Sequence, residues 1–151
     1  MKIHVDDLSG PAIAKFLQAH IDDMRATSPP ESVHALDLEG LRQPEITFWS
    51  VYHERALVGC GALKQLSATH GEIKSMRTDI TARGRGVATA MLLHIIGEAD
   101  NRGYQRLSLE TGSMDFFTPA RRLYRRHGFC PCPPFGGYTD DPNSVYMALD
   151  L

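Results

Sequence analysis

Arg83-Gly84-Arg85-Gly86-Val87-Ala88 sets two glycines and two arginines where an extended segment gives way to a helical pattern. That composition suits a phosphate cradle. Glycine removes the side chain that would hold a ligand off the backbone and takes torsions that other residues avoid. The first turn of the following helix has N–H groups without intrahelical acceptors and carries the positive end of the helix dipole. Gly84, Gly86, Val87, Ala88 and Thr89 therefore offer main-chain donors to an anion. Arg83 and Arg85 add charge-assisted donors that match phosphate oxygens. A Gly/Arg loop can equally be a solvated turn, and the neighbouring elements decide between the two.

Upstream, Gly71 to Thr78 reads as a strand with polar groups on both faces, the pattern of a strand that lines a cleft rather than a core. Downstream, Val87, Met91, Leu92, Ile95, Ile96 and Ala99 recur at helical spacing until Asn101-Arg102-Gly103 stops the helix. Lys2 to Val5 is a short strand. Ser9, as a hydroxyl cap ahead of Pro11, starts a helix with an apolar stripe of Ile13, Phe16, Leu17, His20, Ile21 and Met24, ending before Ser28-Pro29-Pro30. Residues 31–45 are weakly patterned, with one short helix around Val33 to Leu41. Ile46 to Tyr52 and Ala56 to Leu63 form a hairpin through His53-Glu54-Arg55, and the strand at 72–78 completes an antiparallel meander. A strand at Arg106 to Glu110, a helix at Thr118 to His127, a short strand from Phe129 and a last strand at Val145 to Leu149 follow. The Pro- and Gly-rich stretch 131–142 lies between the last two strands.

The 151 residues, 42% hydrophobic and 23% charged, are enough for one domain spanning 1–151 with its own core. A net charge of −2 gives no global basic field for nucleic acid or an anionic membrane, and no apolar run is long enough to span a bilayer. Three cysteines with no apolar leader at the start of the chain point to a reducing, cytoplasmic setting. Homodimer formation stays open. His127, Cys130 and Cys132 supply three ligand types within six residues but no fourth partner at zinc-finger spacing, so no metal site is expected. His20 and His94 read as helix-packing residues.

Strand, phosphate loop and helix in this order resemble the GNAT superfamily of acetyl-CoA-dependent N-acetyltransferases. Arg83, Gly86 and Ala88 fill that superfamily's acyl-CoA motif of Arg or Gln, two residues, Gly, one residue, then Gly or Ala. Ala120, Leu123-Tyr124 and Gly128-Phe129 match its later helix, and the likeness covers roughly residues 46–151 well. Where many members carry Asn, three residues before the alanine of that helix, this chain has Phe117, which removes a polar contact to the cofactor.

The resemblance implies an α/β fold with a central, mostly antiparallel twisted sheet, splayed central strands and about four flanking helices. It implies direct transfer of acetyl from acetyl-CoA, the only cofactor expected, to a primary amine, and the acidic and aromatic content of residues 28–45 and of Phe135 to Asp141, the expected pocket walls, favours a small cationic amine over a protein tail. Main-chain groups at Met76 and Thr78 on the cleft strand would take the pantetheine arm and the thioester oxyanion. Tyr124 stands where the family carries a tyrosine that protonates the leaving thiolate, although Ala120, Leu123, Tyr124 and His127 also share one helical stripe, as a packing residue would. Glu72 stands where several members place a catalytic glutamate and is the expected base, while a solvated strand-end glutamate fits the same residue.

Two rivals arise. Gly84 and Gly86 begin a Gly-x-Gly pattern and Glu110 ends the next strand, as in a dinucleotide-binding oxidoreductase, but Thr89 stands in place of the third glycine and a meander precedes the loop. A non-catalytic acyl-CoA sensor would share the loop without needing both Tyr124 and Glu72.

Overall fold

A computed structural model describes residues 1–151. The sheet has seven strands: β1 (Lys2–Val5), β2 (Ile46–His53), β3 (Ala56–Gln65), β4 (His70–Thr78), β5 (Arg106–Gly112), β6 (Cys130–Pro131) and β7 (Ser144–Asp150). Their spatial order is β1-β2-β3-β4-β5-β7-β6. The β4–β5 junction is parallel and every other junction is antiparallel. Four helices flank it: α1 (Pro11–Thr27), α2 (Leu38–Leu41), α3 (Val87–Asn101) and α4 (Thr118–Arg126). This is the mixed α/β architecture that the resemblance implies.

β3 is buried from Val58 to Leu63, as expected for a central strand covered on both faces. On one face Leu8, Ile13, Leu17, Leu41 and Phe48 pack with Cys60 and Ala62 under α1 and α2. On the other, α3 and α4 bury Val87, Met91, Leu92, Ile95, Leu123 and Tyr124 against Val51, Leu63, Ile73 and Leu109. Gly59 and Gly61 let α3 lie close on the sheet. A Cβ at Gly59 would sit 2.6 Å from the Val87 side chain, and one at Gly61 2.7 Å from Met91. That close approach fixes where the N-terminus of α3 points.

Two local expectations change. α1 is capped by Gly10 with no side-chain bond, because the Ser9 hydroxyl instead donates to Asp7 Oδ1 at 2.6 Å. The helix expected over Val33 to Leu41 is a 3₁₀ turn at Pro30–Ser32 followed by the single turn of α2. Asp37 resets the start by accepting from the Gly40 N–H at 2.9 Å.

Candidate active site

The site begins with an irregularity in β4. Lys74 pairs with Ala62 and Arg77 with Cys60, so Ser75 and Met76 together oppose Gly61, a β-bulge. The extra residue shifts the side-chain alternation by one. Ile73 and Met76 both pack on the α3 side, while Arg77 joins the face of Glu72 and Lys74 and meets α1, where its guanidinium pairs with Asp23 at 2.7 Å and lies over the Phe16 ring.

Just beyond, the sheet opens. β4 and β5 pair from His70↔Arg106 to Ile73↔Leu109 and then part, although β4 continues to Thr78 and β5 to Gly112. Met76 and Thr78 therefore lie on an edge that faces no strand. A cavity of about 610 Å³ fills the gap. Glu72 to Thr78, the ends of β5 (Glu110, Thr111) and α1 (His20, Asp23, Met24), His34, Tyr138 and the α4 region from Phe116 to Tyr124 line it.

The Arg83–Gly86 loop lines the same cavity. Asp79 caps a 3₁₀ turn at Ile80–Ala82 through the Thr81 N–H and hydroxyl, and buried Ala82 anchors it. Gly84 and Gly86 then take left-handed backbone, φ 77° and 81°, which only glycine adopts without strain. Gly86 is the N-cap of α3, no side chain caps that end, and its first turn has no acidic residue. The leading amides of α3 are thus available to an anion. Arg83, Gly84, Gly86, Val87, Ala88 and Thr89 line the cavity. Arg85 is exposed and lies outside the lining.

Titratable side chains gather elsewhere on the cavity wall. The Tyr138 hydroxyl donates to Glu72 Oε2 at 2.6 Å, and Lys74 Nζ donates to the same oxygen at 3.1 Å and to the Tyr138 oxygen at 2.9 Å. Glu72 and Lys74 are buried, with 4% and 8% of their side chains exposed, so this is an ion pair inside the protein rather than a solvated strand end. The second carboxyl is Glu110, one residue past the last β4–β5 pair. Burial raises its pKa above the ordinary 4.5 and the Glu72 charge pushes the same way, while Ser144, His34 and Lys74 pull partly back. Tyr124 is buried edge-on against Phe129, 5.7 Å between ring centres, and still lines the cavity. Burial first, and then Glu110, raise its phenol well above 10, so it carries its proton through the working pH range. Tyr124 is thus both a core residue and a site residue.

His20 also lines the cavity, contrary to a purely helix-packing role. Burial, reinforced by the Arg77 charge, lowers its pKa to about 4 and keeps it neutral. His94 does pack, edge-on to Trp49 at 5.1 Å. His127, Cys130 and Cys132 do not converge: His127 Nδ1 donates to the Leu123 carbonyl, and no cluster of three or more His, Cys, Asp or Glu is placed to hold a metal. Arg121 clamps the turn before α4 through the Gly112 and Met114 carbonyls at 2.7 and 2.9 Å. Phe117, at the family's Asn position, is buried against Gly112, where a Cβ would meet its ring at 2.1 Å. The Ser32 hydroxyl donates to Asp141 at 2.6 Å, and His34 and Tyr138, which both line the cavity, stand edge-on at 5.1 Å.

A family model described as Acetyltransferase (GNAT) family matches residues 13–129. The chain is 56% identical to the uncharacterized N-acetyltransferase YsnE of Bacillus subtilis (strain 168), over all of both proteins. It is 49% identical to the uncharacterized N-acetyltransferase YedL of Escherichia coli (strain K12), over 99% of this chain and 94% of that one. Over 82% of this chain and 80% of the relative it is 40% identical to an IAA acetyltransferase of Azospirillum brasilense. Among solved structures, a Klebsiella pneumoniae protein assigned as an acyl-CoA N-acyltransferase superposes with a TM-score of 0.80 at 25% identity, over 99% of this chain and 97% of that one. A GNAT family acetyltransferase of Elizabethkingia anophelis with acetyl-CoA bound shares the fold at 0.67 and 16% identity, covering 99% and 97%.

Proposed function

Because the chain belongs to the GNAT family of acetyltransferases and is an N-acetyltransferase, we propose that it moves acetyl directly from acetyl-CoA to the primary amine of a small molecule. One observation carries this reading. A single cavity joins an uncapped helix N-terminus with a glycine turn at one end to a buried carboxyl, Glu72, a half-buried one, Glu110, and a buried phenol. The diphosphate would rest on the amides of Val87 to Thr89, flanked by Arg83, with the pantetheine arm along the unpaired edge of β4 at Met76 and Thr78. The Met76 N–H would take the thioester oxygen as charge builds on it.

Glu72 Oε2 already accepts from Lys74 and Tyr138, so a proton moving there must compete with two donors. Glu110 accepts from neither of these two donors, Ser144 being the side chain that bonds toward it, and its raised pKa brings it nearer the operating pH that suits a general base. In our reading Glu110 takes the proton from the amine, directly or through a water, while Glu72 anchors Lys74 and Tyr138 and adds negative field. Glu72 and Glu110 against Lys74, with Arg77 paired to Asp23, favour a cationic acceptor, and His34 edge-on to Tyr138 narrows the pocket in favour of a small molecule over a protein tail. Free Cys60, Cys130 and Cys132 fit a reducing, cytoplasmic setting. No helix is long and apolar enough to cross a membrane.

The test is release of CoA thiol from acetyl-CoA across a panel of small amines and N-terminal peptides. Turnover confined to small cationic amines is expected, and turnover of peptides alone would overturn the acceptor class. Tyr124 would give its own phenolic proton to the departing thiolate and regain one from solvent as the products leave, while Glu110 releases the amine's proton to solvent. Its raised phenol is a weak acid, but the dry site that raises it also makes the nascent thiolate a stronger base. Tyr124→Phe should therefore lower kcat about tenfold with little change in acetyl-CoA affinity. Steady-state kinetics beside a binding titration checks this, and an unchanged kcat would leave Tyr124 a packing residue.

A further inference from the structure

Ser75 holds a left-handed backbone, φ 55°, without being glycine. That torsion costs a residue with a side chain about 1 kcal/mol or more and persists only where neighbours impose it. The neighbour that reaches it is Cys60. Its thiol donates to the Ser75 carbonyl at 3.1 Å, from the strand position directly opposite Arg77. Cys60 is 1% exposed, and burial raises its pKa to about 12, so the hydrogen is always present to donate.

The Ser75 carbonyl and the Met76 N–H belong to one planar trans peptide, with no cis bond in the chain, and in such a unit the two groups point in opposite directions. Drawing the carbonyl toward Cys60 on β3 turns the N–H away from β3, toward the gap beyond Ile73↔Leu109. We propose that Cys60 is a positioning residue for acetyl transfer, its thiol holding the bulged peptide so that the Met76 N–H faces the thioester carbonyl. This rests on the reading of Met76 as the oxyanion donor.

Three variants separate the donor from its volume: Cys60→Val keeps bulk without a donor, Cys60→Ala removes both, and Cys60→Ser restores a donor. Expected are a kcat lowered about tenfold in Cys60→Val and Cys60→Ala, a KM for acetyl-CoA within about twofold of wild type, and recovery to within about threefold in Cys60→Ser. The direct readout is the infrared carbonyl band of bound acetyl-CoA labelled with ¹³C at the thioester. It should lie below its free frequency in wild type and return toward it in Cys60→Val. Should Cys60→Val not fold, the same band in Cys60→Ala decides. A wild-type kcat and band in a donor-less variant would overturn the role of Cys60 alone. A wild-type band no different from free acetyl-CoA would instead overturn Met76 as the donor, and Cys60 with it.

Discussion

Gly86→Glu is expected to weaken acetyl-CoA binding about 100-fold or more while the protein still folds. Two effects add. A side chain at φ 81° pays about 1–2 kcal/mol for left-handed backbone, and a carboxylate at the first turn of α3 sets negative charge against a diphosphate where the helix would otherwise attract it. A Cβ at Gly86 would meet nothing within 4 Å, so crowding is not the cause. Gly86→Ala isolates the backbone cost and should lose stability with only a modest change in affinity. Titration calorimetry with acetyl-CoA on both variants checks the pair, and wild-type affinity in Gly86→Glu would mean that the diphosphate lies elsewhere.

Glu110→Gln is expected to lower kcat about 100-fold at neutral pH, the scale of losing a general base, and at the same time to make the protein more stable. A carboxyl whose folded pKa lies above its unfolded value contributes stability that is complete below the unfolded value, near 4.5, and is lost as pH rises through the raised one. Glutamine cannot ionise and keeps that contribution. The Tm advantage of the variant should therefore be absent near pH 4 and grow toward pH 7. In kinetics, the wild-type rate should climb as Glu110 ionises and the variant should lose that limb. Glu72→Gln should do the reverse to the fold: Lys74 loses its buried counter-charge, a loss of about 3 kcal/mol or more in such pairs. Thermal unfolding from pH 4 to 8 on both variants tests the assignment, and a lost pH limb in Glu72→Gln but not Glu110→Gln would restore Glu72 as the base.

The sequence carried the parts of this site whose signals are local. Glycines at 84 and 86, the arginine at 83 and the apolar period of α3 lie within a few residues of one another, and each states a backbone need or a charge on its own. Tyr124 was reachable through its motif. Other features come from tertiary structure. Strict alternation along β4 groups Met76 with Glu72 and Lys74, and the bulge at Ser75 puts Arg77 there instead, a one-residue shift that no periodicity announces. Glu72 meets Tyr138 across 66 residues of chain, so the triangle with Lys74 exists only once the loop after β6 folds back. Glu110 could be noticed as an acid ending a strand, but its raised pKa follows from burial that composition does not reveal. Ser9 has a cap residue's chemistry, but Asp7, two residues away, takes its hydroxyl and Gly10 is left as the cap.

The parting of β4 from β5 also has a mechanical side. Four residue pairs, His70↔Arg106 to Ile73↔Leu109, are all the main-chain ladder that joins β1–β4 to β5–β7. The sheet is two leaves sewn along part of their common seam, and α3 bridges the rest from one side. A pantetheine arm lying in the open length would supply donors and acceptors that a neighbouring strand would otherwise provide. The cosubstrate of the proposed reaction would then act as a temporary stitch along the length where the two leaves share no strand pairing.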